Sequence, residues 1–271
     1  MRKNKAITRS CIISGFICLG YIGLCLFLNI NYSLEFIFTI LLINYLYYKL
    51  YPYNAIEIAY QQLESFIPLI NDLEIKRNLP NTRGYAASPD YLSKINEIIK
   101  EKRPKLILEA GSGVSTLIAS YSLKKYVNDG KIISLDHNQK YAQETIDELK
   151  KHNLDKYAKV VHAPLKTHKF PISDLYSNYL IWYDIDSIIN EIELIDLFII
   201  DGPPAKNSKN ARFPALPIMF NKISKGAVII LDDASRKNEQ ETIHLWKKEY
   251  DCFDYEYIDN DKGLAVIKKI K

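Results

Sequence analysis

The sequence has no pair of cysteines two residues apart and no cysteine–histidine cluster, which excludes the usual zinc frameworks. Of its four cysteines, Cys11, Cys18 and Cys25 stand seven residues apart in one apolar segment, a spacing that puts them on one helix face as small packing residues. Cys252 is alone, so neither a disulfide scaffold nor an oxidising compartment is implied. There is no Walker phosphate loop and no GxSxG elbow, and with them go the P-loop nucleotidases and the α/β-hydrolases in their ordinary form. Charge of one sign is also scarce. Against 36 Lys and Arg stand 32 Asp and Glu, a net charge of +4, with no basic run interleaved with aromatics, so no nucleic-acid partner is expected.

What the 271 residues do contain is enough chain for one sizeable α/β domain and an appendage. Residues Cys11 to Ile30 form a run of 20 without a charge, preceded by Arg2, Lys3, Lys5 and Arg9. A second apolar run goes from Leu34 to Leu50, with Glu35 at its start and Lys49 at its end. Tyrosine, at 20 residues, is frequent, and Tyr45, Tyr47, Tyr48, Tyr51 and Tyr53 cluster where the second run closes. Read against a hydrocarbon core of about 30 Å, these features predict a transmembrane helical hairpin over 11–30 and 34–50, turning at Asn29 to Ser33, with the lipid bilayer as a partner. Basic residues flank the hairpin and are missing from its turn, which predicts a cell-membrane protein whose enzyme domain faces the cytoplasm. A cleaved signal peptide fits less well, because a second apolar run follows at once. A buried helix remains an alternative for the shorter second run.

The expected division is a membrane anchor over 1–52, an amphipathic connector over 53–87 and a catalytic domain over 88–271. In the connector, Ile56, Ala59, Leu63, Phe66, Ile67 and Ile70 follow helical spacing, and 78–89 reads as a loop with two prolines and Gly84. A helix is predicted from Pro89 to about Lys102, capped by Ser88.

From Lys105 short apolar runs alternate with amphipathic stretches. Strands are predicted at 105–110, 131–136, 159–162, 195–201 and 227–232, and helices at 114–126, 139–152 and 239–249. Two late runs, 253–258 and 264–267, have no helix between them and predict an antiparallel hairpin. The expected fold is α/β: a Rossmann-like doubly wound sheet, mostly parallel, with that hairpin at its C-terminal end. Ligands then bind where the parallel strands end.

The candidate chemistry sits at those ends. The first strand runs into Glu109-Ala110-Gly111-Ser112-Gly113-Val114-Ser115-Thr116. Gly111 and Gly113 permit a tight turn and close approach of a ligand to the backbone, while Thr116 stands where a dinucleotide fingerprint has its third glycine. Asp136 ends the second strand, 23 residues after Gly113, and a carboxylate there can accept both hydroxyls of a ribose. The alternative for Asp136 is a cap for the following helix.

In order and spacing, LEAGSGVST, IISLDHNQKYA, VVHAPL, IDLFIIDGPP, RFPALP and GAVIILDDASR resemble the class I S-adenosylmethionine-dependent methyltransferases, specifically the bacterial methyltransferase domain 24 family, over about Ser88 to Ile267. The resemblance implies S-adenosylmethionine as cofactor, with Glu109, Gly111 and Gly113 flanking its methionine part. Asp136 would hold the ribose, and His137 and Ala163 would lie beside the adenine. His162, before Ala163, stands where related enzymes often carry an acid.

Asp201 ends the fourth predicted strand and Asp232 and Asp233 the fifth. Neighbouring parallel strands lie about 4.8 Å apart, so these acids can converge on one cation such as Mg²⁺. The pattern is similar to that of the catechol-type O-methyltransferases, in which the ion lowers the pKa of a substrate hydroxyl. Without a metal, Asp201 is the expected catalytic residue nearest the acceptor, and Asp232 and Asp233 cap the next helix. Arg212 either binds an anionic group of the substrate or pairs with a local carboxylate. The long stretch 164–190, with Trp182, Tyr183 and Asp184, forms either a substrate lid or a cover for the sheet. The favoured reading is methyl transfer to an oxygen or nitrogen of a small-molecule, lipid or glycan acceptor. The rivals are a nucleotide-dependent oxidoreductase and a catalytically inactive scaffold on the same fold.

Overall fold

Strand β1, Leu106–Ala110, is the centre from which the fold is built. Its side chains alternate between the two faces of the sheet, as strand geometry requires, so one strand supplies two cores. Ile107 packs with Ile132, Leu197, Ile199, Val228 and Ile230 on one face. Leu108 and Ala110 pack with Ile133, Leu135, Phe198, Ile200 and Ile229 on the other. A strand buried on both sides is apolar at most positions, which is why these segments read as near-continuous Ile/Leu/Val runs.

In the computed structural model the described residues are all except Met1, 29–32, 83–85, 170–178 and 206–207, and the side chains of 2–14, 47–55 and 179 are likewise outside the description. The chain falls into two compact units, divided between Gln61 and Gln62. In the second, α3 (Pro89–Lys102) starts at Ser88, with Pro89 in its first turn. Ser88 Oγ donates to Asp90 Oδ1 at 2.5 Å, and that oxygen accepts the Tyr91 amide at 2.7 Å. The cap chemistry is therefore done by Asp90 rather than by the hydroxyl of Ser88. The helix buries Tyr91, Leu92, Ile95, Ile98 and Ile99 and ends before Pro104.

After β1 come α4 (Val114–Ser122), β2 (Lys131–Asp136), α5 (Gln139–Lys151) and β3 (Ala158–His162). The α-helix expected to continue to Tyr126 gives way to a π-helical turn over Leu123–Val127. Next are β4 (Leu165–Lys169), β5 (Tyr179–Tyr183), β6 (Ile195–Ile200), α6 (Ala215–Met219), β7 (Ile223–Leu231), α7 (Lys237–Glu249), β8 (Phe253–Ile258) and β9 (Leu264–Lys269). The main sheet has the order β3-β2-β1-β6-β7-β9-β8. Its first five strands are parallel, β9 runs antiparallel to β7, and β8 pairs antiparallel with β9. The chain winds outward from β1 to β3, then returns to β6 on the other side of β1. That reversal leaves a crevice at the C-terminal ends of β1 and β6.

β4 and β5 form a separate two-stranded sheet. Trp182 and Tyr183 are fully buried in the core, Trp182 edge-on to Phe198 at 6.4 Å. The base of the expected lid is thus part of the core, and its tip at 170–178 lies outside the described residues.

The first unit contains α1 (Arg2–Phe27) and the start of α2 (Leu34–Asp72). Within it the rings of Tyr21 and Phe36 are 4.2 Å apart, and the Ser33 amide donates to the Tyr21 hydroxyl at 3.0 Å. The expected turn at 29–32 and the side chains of Cys11, Tyr47, Tyr48, Tyr51 and Tyr53 lie outside the described residues. Here the sequence expectation of a transmembrane hairpin is corrected: among the described residues no helix is long and apolar enough to cross a membrane. The charge-free run of the sequence does not coincide with helix. α1 ends at Phe27, so its charge-free part, residues 10–27, rises roughly 27 Å. The second run, Leu34 to Leu50, rises about 25 Å, and only about 20 Å of it lies between the charges of Glu35 and Lys49, short of the about 30 Å needed. Instead of stopping there, helix α2 is assigned through to Asp72, and its end buries Leu69, with Leu73 just beyond, against α3.

Phe198 lies at the centre of β6 with no exposed surface. Replacing it with Ala should destabilise the sheet domain by roughly 3–5 kcal/mol, read as a lower urea midpoint.

Candidate functional site

The turn after β1 is held by Thr116, the residue that replaces the third glycine. The Gly113 amide donates to Thr116 Oγ1 at 3.0 Å, and that hydroxyl donates to Glu109 Oε2 at 2.5 Å. Ser134, from β2, donates to the same carboxylate oxygen at 2.6 Å. Glu109 is fully buried, and its other oxygen, Oε1, has no hydrogen-bond partner among the described residues. Burial pushes its pKa up to about 7 against the pull of those hydroxyls. Gly111 has φ of +106°, and a Cβ there would come within 3.3 Å of the Gly202 amide nitrogen. Only glycine lets the turns after β1 and β6 meet this closely. A Cβ on Gly113 would meet nothing within 4 Å, so the backbone there faces open space.

Asp136 ends β2 beside that turn. Its Oδ2 accepts from Ser112 Oγ at 2.8 Å, and its Oδ1 accepts the Asn138 amide at 2.9 Å. The cap of α5 is Asn138, whose side chain accepts the Lys140 amide, so the helix does not require Asp136 as its cap. His137 follows, with Nδ1 3.7 Å from Asp136 Oδ1 and its ring edge-on to Tyr183 at 6.3 Å. Ala163 is fully buried and its amide donates to the Asp136 carbonyl at 2.7 Å. Glu109, Gly111, Gly113, Asp136, His137 and Ala163 therefore share one edge of the sheet. His162 pairs with Asp136 across the strands but is itself exposed.

Asp201, Asp232 and Asp233 also meet on this edge, each offering a carboxylate oxygen within 4.8 Å of the others. Arg212 stands among them, 4 % exposed. Its Nη2 donates to Asp201 Oδ1 at 3.0 Å, to the Asp201 carbonyl at 2.9 Å and to Asp233 Oδ2 at 2.7 Å. Its Nη1 donates to the Asp232 carbonyl at 2.5 Å, and Nε lies 3.8 Å from Glu239 Oε1. Arg236 pairs with the remaining oxygen of Asp233 at 2.7 Å. Of the two alternatives for Arg212, pairing with local carboxylates is the one found. Asp232 is nearly fully buried, and neither of its carboxylate oxygens has a hydrogen-bond partner among the described residues. Burial raises the pKa of both Asp201 and Asp232, and their mutual repulsion raises Asp232 further, while Arg212 opposes both shifts.

This sheet, with a glycine turn after β1 and an acid ending the adjoining β2, has the architecture of the class I methyltransferases, enzymes that use S-adenosylmethionine. Residues 108–234 match the family described as "Methyltransferase domain". No curated protein matches. Among solved structures, SAH-bound methyltransferase PaMTH1 from Podospora anserina is similar at a TM-score of 0.55 and 13% identity, covering 80% of this chain and 96% of that one. The O-methyltransferase from Bacillus cereus in complex with SAH aligns at 0.52 and 16%, covering 76% and 90%. The O-methyltransferase TomG from Streptomyces achromogenes in complex with SAM aligns at 0.51 and 10%, covering 78% and 89%. At these identities the likeness is one of fold.

Sequence reasoning missed Thr116, Ser134 and Ser112, which lock Glu109 and Asp136. The absent third glycine was the available signal for Thr116; nothing local marked the two serines. Glu109 generates a pH prediction. Its native pKa lies above its free-chain value of 4.5, so the native state holds the proton longer than the unfolded chain does. The stability this contributes is complete below pH 4.5 and is lost as pH rises toward about 7. Urea unfolding across that window should show wild type losing roughly 3 kcal/mol relative to Glu109→Gln.

Proposed function

We propose that this enzyme transfers a methyl group to an oxygen of a small-molecule acceptor, with residues 88–271 as its methyltransferase domain. The observation that carries the reading is the meeting of the β1 and β6 turns at Gly111 and Gly202, with Asp136 on one side and Asp201 on the other. The residues present fit the cofactor. Glu109 Oε1 is an unpartnered buried acceptor, and the backbone at Gly113 opens onto free space. Glu109, Gly111 and Gly113 would flank the methionine part, Asp136 would accept the ribose hydroxyls, and His137 and Ala163 would border the adenine. When bound, S-adenosylmethionine supplies an electrophilic methyl on a sulfonium centre.

The chain's own contribution is placement and proton handling. Thr116 and Ser134 hold the Glu109 carboxylate, and Ser112 holds that of Asp136, so both acids are oriented before a ligand arrives. Asp201 is part-exposed, and Arg212 engages only its Oδ1. Its carboxylate then receives the proton of an acceptor hydroxyl as that oxygen takes the methyl. The upward pull of burial on its pKa brings it nearer the working range of a general base. Two of the similar proteins, from Bacillus cereus and Streptomyces achromogenes, are O-methyltransferases, which favours oxygen as the acceptor atom. We place the reaction in the cytoplasm, where the cofactor is made.

Calorimetry tests the cofactor site. Wild type should bind S-adenosylhomocysteine and not NAD, and Asp136→Ala should weaken that binding by at least tenfold, since it removes charge-assisted hydrogen bonds. Tight NAD binding without S-adenosylhomocysteine binding would refute the reading. With labelled cofactor and extracts of the source cell, Asp201→Asn should keep cofactor affinity and lose on the order of 100-fold in turnover.

A further inference from the structure

The three aspartates at the ends of β6 and β7 invite a divalent cation, but the donor set does not fit one. Asp201 Oδ1 and Asp233 Oδ2 already hold Arg212, at 3.0 and 2.7 Å, and Asp233 Oδ1 holds Arg236 at 2.7 Å. Among the three acids this leaves Asp201 Oδ2 and the two oxygens of Asp232. A hard cation takes about six oxygens in its shell, and here it would enter beside a guanidinium that is itself buried. Two positive centres at such separation in a poorly screened interior repel strongly, whereas one guanidinium already neutralises the acids it touches.

The guanidinium also does what a point charge cannot. Its planar fork donates to the carbonyls of Asp201 and Asp232 as well as to the carboxylates, and so ties the end of β6 to the end of β7. The oxygens of Asp232, a nearly fully buried side chain, have no hydrogen-bond partner among the described residues, and the Arg212 charge acts on them electrostatically.

We propose that Arg212 is the resident cation of this site: its guanidinium takes the place of a divalent ion, sets the positions of Asp201 and Asp233, and leaves methyl transfer independent of added metal. This rests on the methyltransferase reading of the same edge. Arg212 is a positioning residue, acting on the acceptor through Asp201.

The test uses the full-length protein, titrated with Mn²⁺ and followed by electron paramagnetic resonance, with S-adenosylhomocysteine calorimetry on the same samples. Wild type is expected to leave Mn²⁺ free and to bind S-adenosylhomocysteine equally in EDTA and in Mg²⁺. Arg212→Met, which vacates the centre of the acids, is expected to bind Mn²⁺ at least tenfold more tightly than wild type, and Asp232→Asn in that background to abolish the gain. Stoichiometric Mn²⁺ binding by wild type that is lost in Asp232→Asn overturns the proposal, as does a tenfold loss of cofactor affinity in EDTA. A folded Arg212→Met with unchanged Mn²⁺ affinity overturns it too, because the guanidinium is then not what keeps metal out. Burying unpaired acids should lower the melting temperature of Arg212→Met by on the order of 10 °C. If that prevents folding, the wild-type Mn²⁺ titration decides alone. Absence of S-adenosylhomocysteine binding under every condition would refute the methyltransferase reading, and it registers separately from the Mn²⁺ signal.

Discussion

A buried positive charge among carboxylates organises the working edge of this protein. Arg212 cannot shed its proton, and its burial is tolerated because Asp201, Asp233 and Glu239 surround it and the backbone carbonyls of Asp201 and Asp232 accept from Nη2 and Nη1. The acids in turn are held in place by it. Since Asp201 ends β6 and Asp232 and Asp233 follow β7, the electrostatic requirement of one side chain fixes the relative position of two strand ends. The crevice beside them inherits that geometry.

The opposite flank of the crevice is built without a formal cation. Glu109 is neutralised in part by its environment, its pKa raised by burial, and three groups converge on it through hydroxyls: Thr116 and Ser134 directly, and the Gly113 amide through Thr116. Asp136 is steadied by Ser112 and by the Asn138 amide. One flank thus uses a guanidinium and the other uses serine and threonine. Between them Gly111 and Gly202 approach closely enough to bring both flanks to one place. The two buried cores underneath make the arrangement rigid, because each strand contributes alternate residues to both faces.

Much of this was legible in the residues. β2 occupies the expected 131–136, and β6, β8 and α5 lie within a residue of their expected bounds, because a buried parallel strand or an amphipathic helix declares itself through local periodicity. β7 begins four residues earlier than expected, since Ile223 already pairs with Ile195 of β6, ahead of an irregularity where the register shifts before Val228, and the residues between are not an apolar run. The π-helical end of α4 had no signature in composition. Trp182 and Tyr183, read as part of a lid or cover, turn out to be core, because their burial depends on Phe198 from a distant strand.

The sequence by itself determined the order of strands and helices, the glycine turn after β1, the acid at the end of β2 and the family to which its motifs point. These follow from local periodicity and from residue types at short spacing. Only the tertiary structure decided where helices stop, which side chains neutralise one another and which acids are left without a partner. The apolar count that predicted a membrane hairpin is a property of sequence, while helix length is settled by where α1 ends and by how far α2 continues. The pairing of Arg212 with Asp201 and Asp233, 11 and 21 residues away, is likewise a matter of distance in space. Charge interactions are set by separation and burial, and neither is written in the spacing of residues along a chain.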